Sequence, residues 1–359
     1  MNILAIESSC DETAAAILHT GSDFPRTPDY QLLSNVVVSQ IDIFKAYGGV
    51  IPEVAARSHL EAILPVVQKA LGDAHLTWDD IDNIAVTHTP GLLGSLLIGT
   101  LTARTLAILH NKPLYPTHHL KSHLYSALLK EEQELTFPTL ALIVSGGHTQ
   151  IIYMTSHTNF EIIATTRDDA VGECFDKIAK ILGLPYPGGP AISKAAEKGN
   201  PHKYQFPHPV LKNPDGTKSL DFSFSGLKTA VLRAVQKELN LPLNHPSHDL
   251  KNHLTKQQVA DFAASFQKTA VDILLENLQK ATTKYPCKSI VIAGGVSANK
   301  YLRTRFYDKN RSLPILFPML TYSGDNAAMV ALAAAYEIAS GKQPTNPYHL
   351  DILPRSPIS

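Results

Sequence analysis

The sequence predicts an α/β protein of two lobes, each built on a mixed sheet that opens with a hairpin. Three observations carry this. Short apolar runs alternate with stretches of helical periodicity along the chain. A strand, polar turn, strand pattern stands at residues 3–6 and 14–18 and recurs at 140–144 and 149–153. The 359 residues, 44% of them hydrophobic, suffice for two cores.

Residues 3–6 and 14–18 read as strands joined by Ser8-Ser9-Cys10-Asp11-Glu12, with 33–38 a third strand beside them, a meander rather than a βαβ opening. Residues 52–71 carry Val54, Leu60, Ile63, Leu64, Val67 and Leu71 at helical spacing, predicting a helix with that side buried. A strand at 84–86 leads through Pro90-Gly91 to a long helix. The stretch 91–109 alone is long and apolar enough to question as a membrane span, but Thr100, Thr102, Arg104 and Thr105 interrupt it, so a buried, small-residue helix is expected. Strand-like residues 113–115 precede a helix over 119–129 that the polar segment 130–133 closes, and the lobe boundary is placed there.

The first lobe is therefore expected over 1–133, and the pattern restarts in a second over 134–323. A strand at 140–144, the Gly146-Gly147 turn and a strand at 149–153 open it. Residues 198–253, rich in Pro, His, Asn and Lys, predict a surface excursion around one ordered piece at 221–224. Residues 289–293 resume the buried sheet. An alanine-rich helix at 327–338 closes the chain, and the proline-containing tail 342–359 is expected to be irregular.

Thirty-two Lys and Arg balance 32 Asp and Glu, which excludes a polyanion binder that works by bulk charge alone. Any nucleic acid must meet a local patch or a helper protein. The lone Trp78 and scattered Tyr and Phe form no interleaved basic and aromatic stripe. Cys10, Cys174 and Cys287 are too few and too widely spaced for a disulfide framework or a cysteine zinc site, so a reducing compartment is expected. The N-terminus has no basic region and runs directly into Glu7, Asp11 and Glu12, which predicts a cytoplasmic protein.

Glycine-centred turns follow apolar stretches at Ser145-Gly146-Gly147-His148, Pro187-Gly188-Gly189-Pro190 and Ala293-Gly294-Gly295-Val296. Each alone is explained by turn sterics; three together suggest a nucleotide-phosphate cradle of bare amides. None matches a P-loop or a dinucleotide fingerprint. His119 and His123 stand at i and i+4, which brings both imidazoles to one helix face. Leu120 occupies the position where a zinc protease carries its glutamate base, which disfavours that chemistry. Asp325 could complete the pair, although its spacing before the closing helix favours an N-cap. Asp176 and the pair Asp168-Asp169 read more readily as solvated or paired surface charge. Asp11-Glu12 is the most suggestive carboxylate pair because it lies in a turn between strands, where ligand loops often lie.

The ordered stretches Leu4-Ala5-Ile6-Glu7-Ser8-Ser9-Cys10-Asp11-Glu12-Thr13, Tyr47-Gly48-Gly49-Val50-Ile51-Pro52-Glu53, Pro90-Gly91-Leu92 and His119-Leu120-Lys121-Ser122-His123 resemble the universal tRNA threonylcarbamoyltransferase family. So do Val144-Ser145-Gly146-Gly147-His148-Thr149, Gly172-Glu173-Cys174-Phe175-Asp176-Lys177, Tyr186-Pro187-Gly188-Gly189-Pro190, Phe224-Ser225-Gly226-Leu227-Lys228, Ala293-Gly294-Gly295-Val296-Ser297-Ala298-Asn299 and Gly324-Asp325-Asn326-Ala327-Ala328-Met329. The resemblance spans residues 3 to about 341. It implies the two-lobed fold of the actin, sugar-kinase and heat-shock ATPase superfamily, with a central nucleotide cleft and the first lobe completed by the helix at 324–341. It implies that His119, His123 and Asp325 bind iron or zinc, which displaces the capping reading of Asp325. It implies adenylate-binding positions at Ile143, Val144, Ser145, Gly146, Gly147, Asp176, Gly189 and Asn299, where ATP or ADP could also sit.

The implied reaction moves the threonylcarbamoyl group from threonylcarbamoyl-AMP, made by a separate synthase, to N6 of adenosine 37 in tRNAs reading codons that begin with A. Asp11 and Glu12 are expected to border the site and orient the attacking amine. The implied partners are tRNA, an inactive paralogue of the same fold and a small P-loop ATPase. Lys121 departs from the glutamate of many relatives between the two histidines. The alternatives are a small-molecule kinase or ATPase of the same superfamily, which gives the two histidines no reason to face Asp325, and the disfavoured metalloprotease.

Overall fold

Asn2–Glu7 (β1) pairs antiparallel with Glu12–Thr20 (β2), and β2 pairs antiparallel with Tyr30–Ser39 (β3). On its other edge β1 pairs parallel with Asn83–Thr89 (β4), which pairs parallel with Leu114–His118 (β5). In the computed structural model, which describes residues 1–129, 134–309, 312–356 and 358, this sheet belongs to the first of two units. That unit comprises Met1–Thr136, Met154–Glu161 and Pro318–Ser359; the second comprises Phe137–Tyr153 and Ile162–Phe317.

β1 is apolar without alternation because both faces of its sheet are covered. Leu4 and Ile6 join Ile63, Val66 and Val67 of Pro52–Asp73 (α2) and Ala103 and Leu106 of Leu93–Leu109 (α3) in one core. Ala327–Ala339 (α10) packs against β1 and β2, and its alanines let it lie close to the strands. The short helices Ile41–Tyr47 (α1) and His119–Ser126 (α4) complete this unit.

The second unit repeats the strand order. Its sheet runs Ile315–Leu316 (β10), Ser289–Ala293 (β9), Thr139–Val144 (β6), Thr149–Met154 (β7) and Phe160–Thr165 (β8). In each sheet the first strand lies between the second and the fourth, with the third and fifth at the edges. β6 and β9 are parallel, as are β9 and β10. Around this sheet stand Val171–Ile181 (α5), Gly188–Ala196 (α6), Ser225–Glu238 (α7), Lys256–Lys284 (α8) and Lys300–Lys309 (α9).

Several expectations are corrected. On α2 the buried side is Ala55, His59, Ile63, Val66, Val67, Ala70 and Leu71, whereas Leu60 and Leu64 are 65% and 54% exposed. α3 is not wholly buried either: Ser95, Gly99 and Ala103 face inward, while Leu93, Leu97, Leu101 and Leu109 are exposed. Among the described residues, no helix is long and apolar enough to cross a membrane. The helix expected over 119–129 ends at Ser126, and its proposed closing segment 130–133 lies outside the described residues.

The supposed excursion at 198–253 contains α7, whose Leu227, Val231 and Val235, four residues apart, enter the core despite the polar composition around them. Residues 171–196 and 256–284, unassigned from periodicity, form α5, α6 and α8. A capping box between Thr255 and Gln258 marks the start of α8. The tail is mostly irregular yet tied down: Thr89 Oγ1 donates to Leu353 O at 2.6 Å, and the Arg104 guanidinium donates to Pro347 O and Tyr348 O.

Candidate metal centre and glycine-turn site

The β1–β2 turn, residues 8–11, is fixed from several sides. Ser8 Oγ donates to Ser95 O at 2.9 Å, and Ser95 Oγ donates to Cys10 O at 3.1 Å. His59 Nε2 donates to the same carbonyl at 3.0 Å while its Nδ1 accepts from Thr13 Oγ1 at 2.8 Å, which defines the neutral tautomer. Burial holds the His59 pKa below the usual histidine range. Gly99 permits this arrangement, since a Cβ there would overlap Ser8 Oγ and push α3 off the turn.

At the end of β1, Glu7 is fully buried and its carboxylate meets three partners. Oε1 accepts from Ser9 N–H at 2.6 Å, Oε2 accepts from Thr87 Oγ1 at 2.7 Å, and Oε2 lies 3.1 Å from His119 Nδ1. Ser9 Oγ also approaches that ring nitrogen at 3.1 Å. With Nδ1 engaged by Glu7, the Nε2 lone pair of a neutral His119 faces away from Glu7.

α4 presents His119 and His123 together, their rings 4.6 Å apart and edge to face. His118 starts this helix: its Nδ1 accepts from Leu120 N–H at 3.2 Å and its Nε2 donates to Ser356 O at 3.1 Å. Asp325 arrives from the other end of the sequence. Its Oδ1 lies 3.1 Å from His123 Nε2 and 3.7 Å from His119 Nε2. One ligand atom from each of His119, His123 and Asp325 lies within 4.8 Å of the others. The helix that follows is capped instead by Asn326, whose Oδ1 accepts from Met329 N–H at 3.0 Å, so Asp325 is not the cap.

The donor set fits a divalent transition ion. His123 is fully buried, yet among the described residues neither ring nitrogen has a hydrogen-bond partner, because Nε2 approaches Asp325 without hydrogen-bond geometry. A buried imidazole left unsatisfied on both sides is costly, and an ion bound at Nε2 would satisfy one of them. Two imidazoles and a carboxylate suit iron or zinc and leave coordination positions open. Without an ion, burial lowers the His119 pKa, but Asp325 and Glu7 outweigh it and raise it to about 9. Burial acts to raise the Glu7 pKa, and the His119 charge and hydrogen bond bring it below the usual range.

Asp11 ends the same turn, whereas Glu12, expected in the turn, opens β2 opposite Ser39. Burial, then the charges of Asp325 and Asp11, push the Glu12 carboxyl well above the carboxylate range; Ser39 Oγ donates to its Oε1 at 3.3 Å. Lys121 sits elsewhere, with its ammonium 4.7 Å from the Phe160 ring centroid.

The second unit holds the glycine turns. Ser145 follows β6, and its Oγ accepts from His148 N–H at 3.1 Å. Cβ atoms placed at Gly146, Gly147 or Gly189 would meet open space, so nothing crowds these positions on the side where a side chain would project. Ile143 and Val144, expected to contact the nucleotide, are wholly buried in β6 and instead place Ser145. Asp176 Oδ1 accepts from Gly188 N–H at 2.6 Å, which holds the start of α6. The Asn299 side chain is largely committed: Nδ2 donates to Ser193 Oγ at 3.0 Å and Gln267 Oε1 at 2.9 Å, and Oδ1 accepts from Leu302 N–H at 3.0 Å. Asp168 holds the start of α7 through Phe224 N–H at 2.7 Å, and Asp169 pairs with Lys177 at 2.7 Å.

Glu7, Ser9, His59 and Thr87 were invisible as a supporting set. The one available signal was an acid directly after the apolar run 3–6, since a carboxylate ending a buried strand requires partners.

The α4 cap carries a pH prediction. Burial lowers the His118 pKa to about 3, and burial lowers that of His157 to about 4. Folded values below the unfolded one mean that stability is complete above about pH 6.5 and is lost as pH falls. Unfolding followed between pH 7 and pH 4 is expected to show a loss of about 3 kcal/mol from His118. His118→Gln should flatten that slope; an unchanged slope would contradict it.

A family profile described as tRNA N6-adenosine threonylcarbamoyltransferase (TsaD) matches residues 31–332. The chain is 43% identical over 360 residues to the tRNA N6-adenosine threonylcarbamoyltransferase of Moorella thermoacetica, covering 100% of this chain and 97% of that one. It is 43% identical over 346 residues to the protein of that name from Bacillus thuringiensis, covering 96% and 93%. Among solved structures, HypF from T. kodakarensis superposes with a TM-score of 0.59 at 13% identity, over 94% of this chain and 48% of that one. Full-length HypF in its phosphate- and nucleotide-bound form gives a TM-score of 0.58 at 13% identity, over 94% and 55%. At that identity the likeness shows the fold, which is the actin-like ATPase architecture with a mixed sheet in each unit.

Proposed function

The chain belongs to the tRNA N6-adenosine threonylcarbamoyltransferase family, and from that premise we propose that it transfers the threonylcarbamoyl group from threonylcarbamoyl-AMP to N6 of adenosine 37 in tRNAs reading codons that begin with A. The observation that carries the site assignment is the meeting of His119, His123 and Asp325 around one point.

His119, His123 and Asp325 would hold iron or zinc, and a bound ion supplies Lewis-acid polarisation of a substrate oxygen. Glu7 fixes the tautomer and direction of His119. Asp11 and Glu12 orient the attacking amine. As its nitrogen bonds to the carbamoyl carbon, the bond from that carbon to the adenylate oxygen breaks and AMP leaves. The amine proton passes to the Glu12 carboxylate, which stands next to Asp11 at the start of β2. The glycine turns at Gly146, Gly147 and Gly189, with Ser145, receive the adenylate through their backbone amides; Asp176 and Asn299 hold the elements that present them. The same cradle would take ATP or ADP. Positioning supplies most of the rate gain, with no covalent enzyme intermediate.

The partners are an inactive paralogue of the same fold and a small P-loop ATPase, with a separate synthase supplying the adenylate, all in the cytoplasm. Balanced charge supports the need for help in holding tRNA. Exposed Leu60 and Leu64 on α2 and Leu93, Leu97 and Leu101 on α3 offer an apolar face for the paralogue.

The test incubates unmodified tRNA with threonine, bicarbonate, ATP, the synthase and both partners, each omitted in turn, and analyses the nucleosides by mass spectrometry. Threonylcarbamoyladenosine that requires this chain is expected. Asp11→Asn with Glu12→Gln should lower its formation by about a hundredfold. Phosphorylated metabolite or cleaved protein in its place would support the kinase or protease reading. Unchanged transfer in the double variant would remove the carboxylates from the mechanism.

A further inference from the structure

The connection between α7 and α8, residues 239–255, holds a second convergence of ligating atoms that the transfer chemistry does not use. Among the described residues, two groups of histidines and acids could enclose an ion, and this is the one in the second unit. His245 Nε2 and His253 Nε2 each lie 3.1 Å from the same oxygen, Asp249 Oδ2. One ligand atom from each residue lies within 4.8 Å of the others. The rings stand edge to face at 5.8 Å. Asp249 Oδ1 is engaged separately by Asn252 Nδ2 at 2.8 Å, which fixes the carboxylate with Oδ2 toward the two rings.

We propose that His245, Asp249 and His253 form a second, zinc-type metal site that ties the α7–α8 connection. Tetrahedral bonds of about 2.0–2.1 Å place neighbouring ligand atoms about 3.3 Å apart, close to the spacing between the carboxylate oxygen and each ring nitrogen. Without metal the same atoms form hydrogen bonds, so a small outward adjustment admits an ion. Three protein ligands leave a position for water, and Asn252 orients the carboxylate from behind. The segment is anchored on both sides of the cluster: Leu250 is buried in the core, and Gln236 Nε2 donates to Leu243 O at 3.1 Å and His245 O at 3.2 Å. A pre-held carboxylate between two rings needs little ordering on binding.

The test titrates the full metal-stripped chain with zinc chloride in competition with a chelating dye and counts zinc bound per chain. Wild type is expected to bind one more zinc than either His245→Gln or His253→Gln. Asn252→Ala should keep that zinc but weaken it roughly tenfold. The substituted side chains are partly or fully exposed, so the fold should tolerate the changes. Equal zinc counts in wild type and both histidine variants would overturn the proposal while leaving the centre at His119, His123 and Asp325 untouched.

Discussion

His123→Ala is expected to abolish metal retention and to reduce threonylcarbamoyl transfer by about a thousandfold or more, while leaving the metal-free fold as stable as before. This dissociation follows from the unusual state of the ring. Most buried histidines satisfy at least one nitrogen, as His59 and His118 do here. His123 satisfies neither without an ion, so truncating it removes a desolvation penalty along with some packing. Thermal unfolding with and without added metal separates the cases. Wild type should gain about 2.7 kcal/mol when the ion stands at a hundred times its dissociation constant, and the variant should gain none. A variant that loses stability without metal yet keeps the metal-dependent gain would show that His123 serves packing alone.

Glu7→Gln should have the second largest effect, through His119. In the metal-free chain His119 is raised to about 9 by Asp325 and Glu7, so the stability it contributes is complete below about pH 6.5 and disappears as pH rises through 9. Glu7 is lowered, and its contribution is lost on the acid side as pH falls through its folded value. Removing the charge leaves a buried imidazolium with one carboxylate fewer, at a cost of about 3–5 kcal/mol near neutral pH. The amide also cannot accept from Ser9 N–H, Thr87 Oγ1 and His119 Nδ1 together in the arrangement the carboxylate uses. Metal affinity should fall by about ten- to a hundredfold. The checks are the pH dependence of unfolding in chelator, where the alkaline slope between pH 7 and pH 9 should shrink, and a metal titration. If the slope and the affinity both match wild type, Glu7 does not position His119.

How far the site could be read in advance depended on the range of the interactions. The pairing of His119 and His123 is a property of one helical turn, and the glycine turns are properties of four or five consecutive residues, so both were visible. The spacing of Asp325 favoured a cap, and only the neighbouring Asn326 side chain, folded back to Met329, shows that the cap belongs to the next residue. Ile143 and Val144 matched a motif, yet their burial in β6 leaves them a placing role. The leucines of α2 and α3 show the same limit. Leu60 and Leu64 share helical spacing with Ile63 and Val67, but only the sheet beneath decides which side of that stripe is covered. In α7 a polar composition masks three core residues at four-residue spacing, so its periodicity is weak in the sequence.

From the sequence alone came the α/β class, the opening hairpin of each half, the helix bearing two histidines and the family likeness, because each depends on residues close together or on ordered motifs along the chain. The tertiary structure decided that Asp325 meets those histidines, that Glu7 stands behind one of them, and that His123 is buried with neither nitrogen satisfied among the described residues. These depend on the sheet order that brings β1, β4, β5 and α10 together, and on the exclusion of water that follows. Periodicity records which side chains avoid water; it does not record which distant group replaces the water they lose.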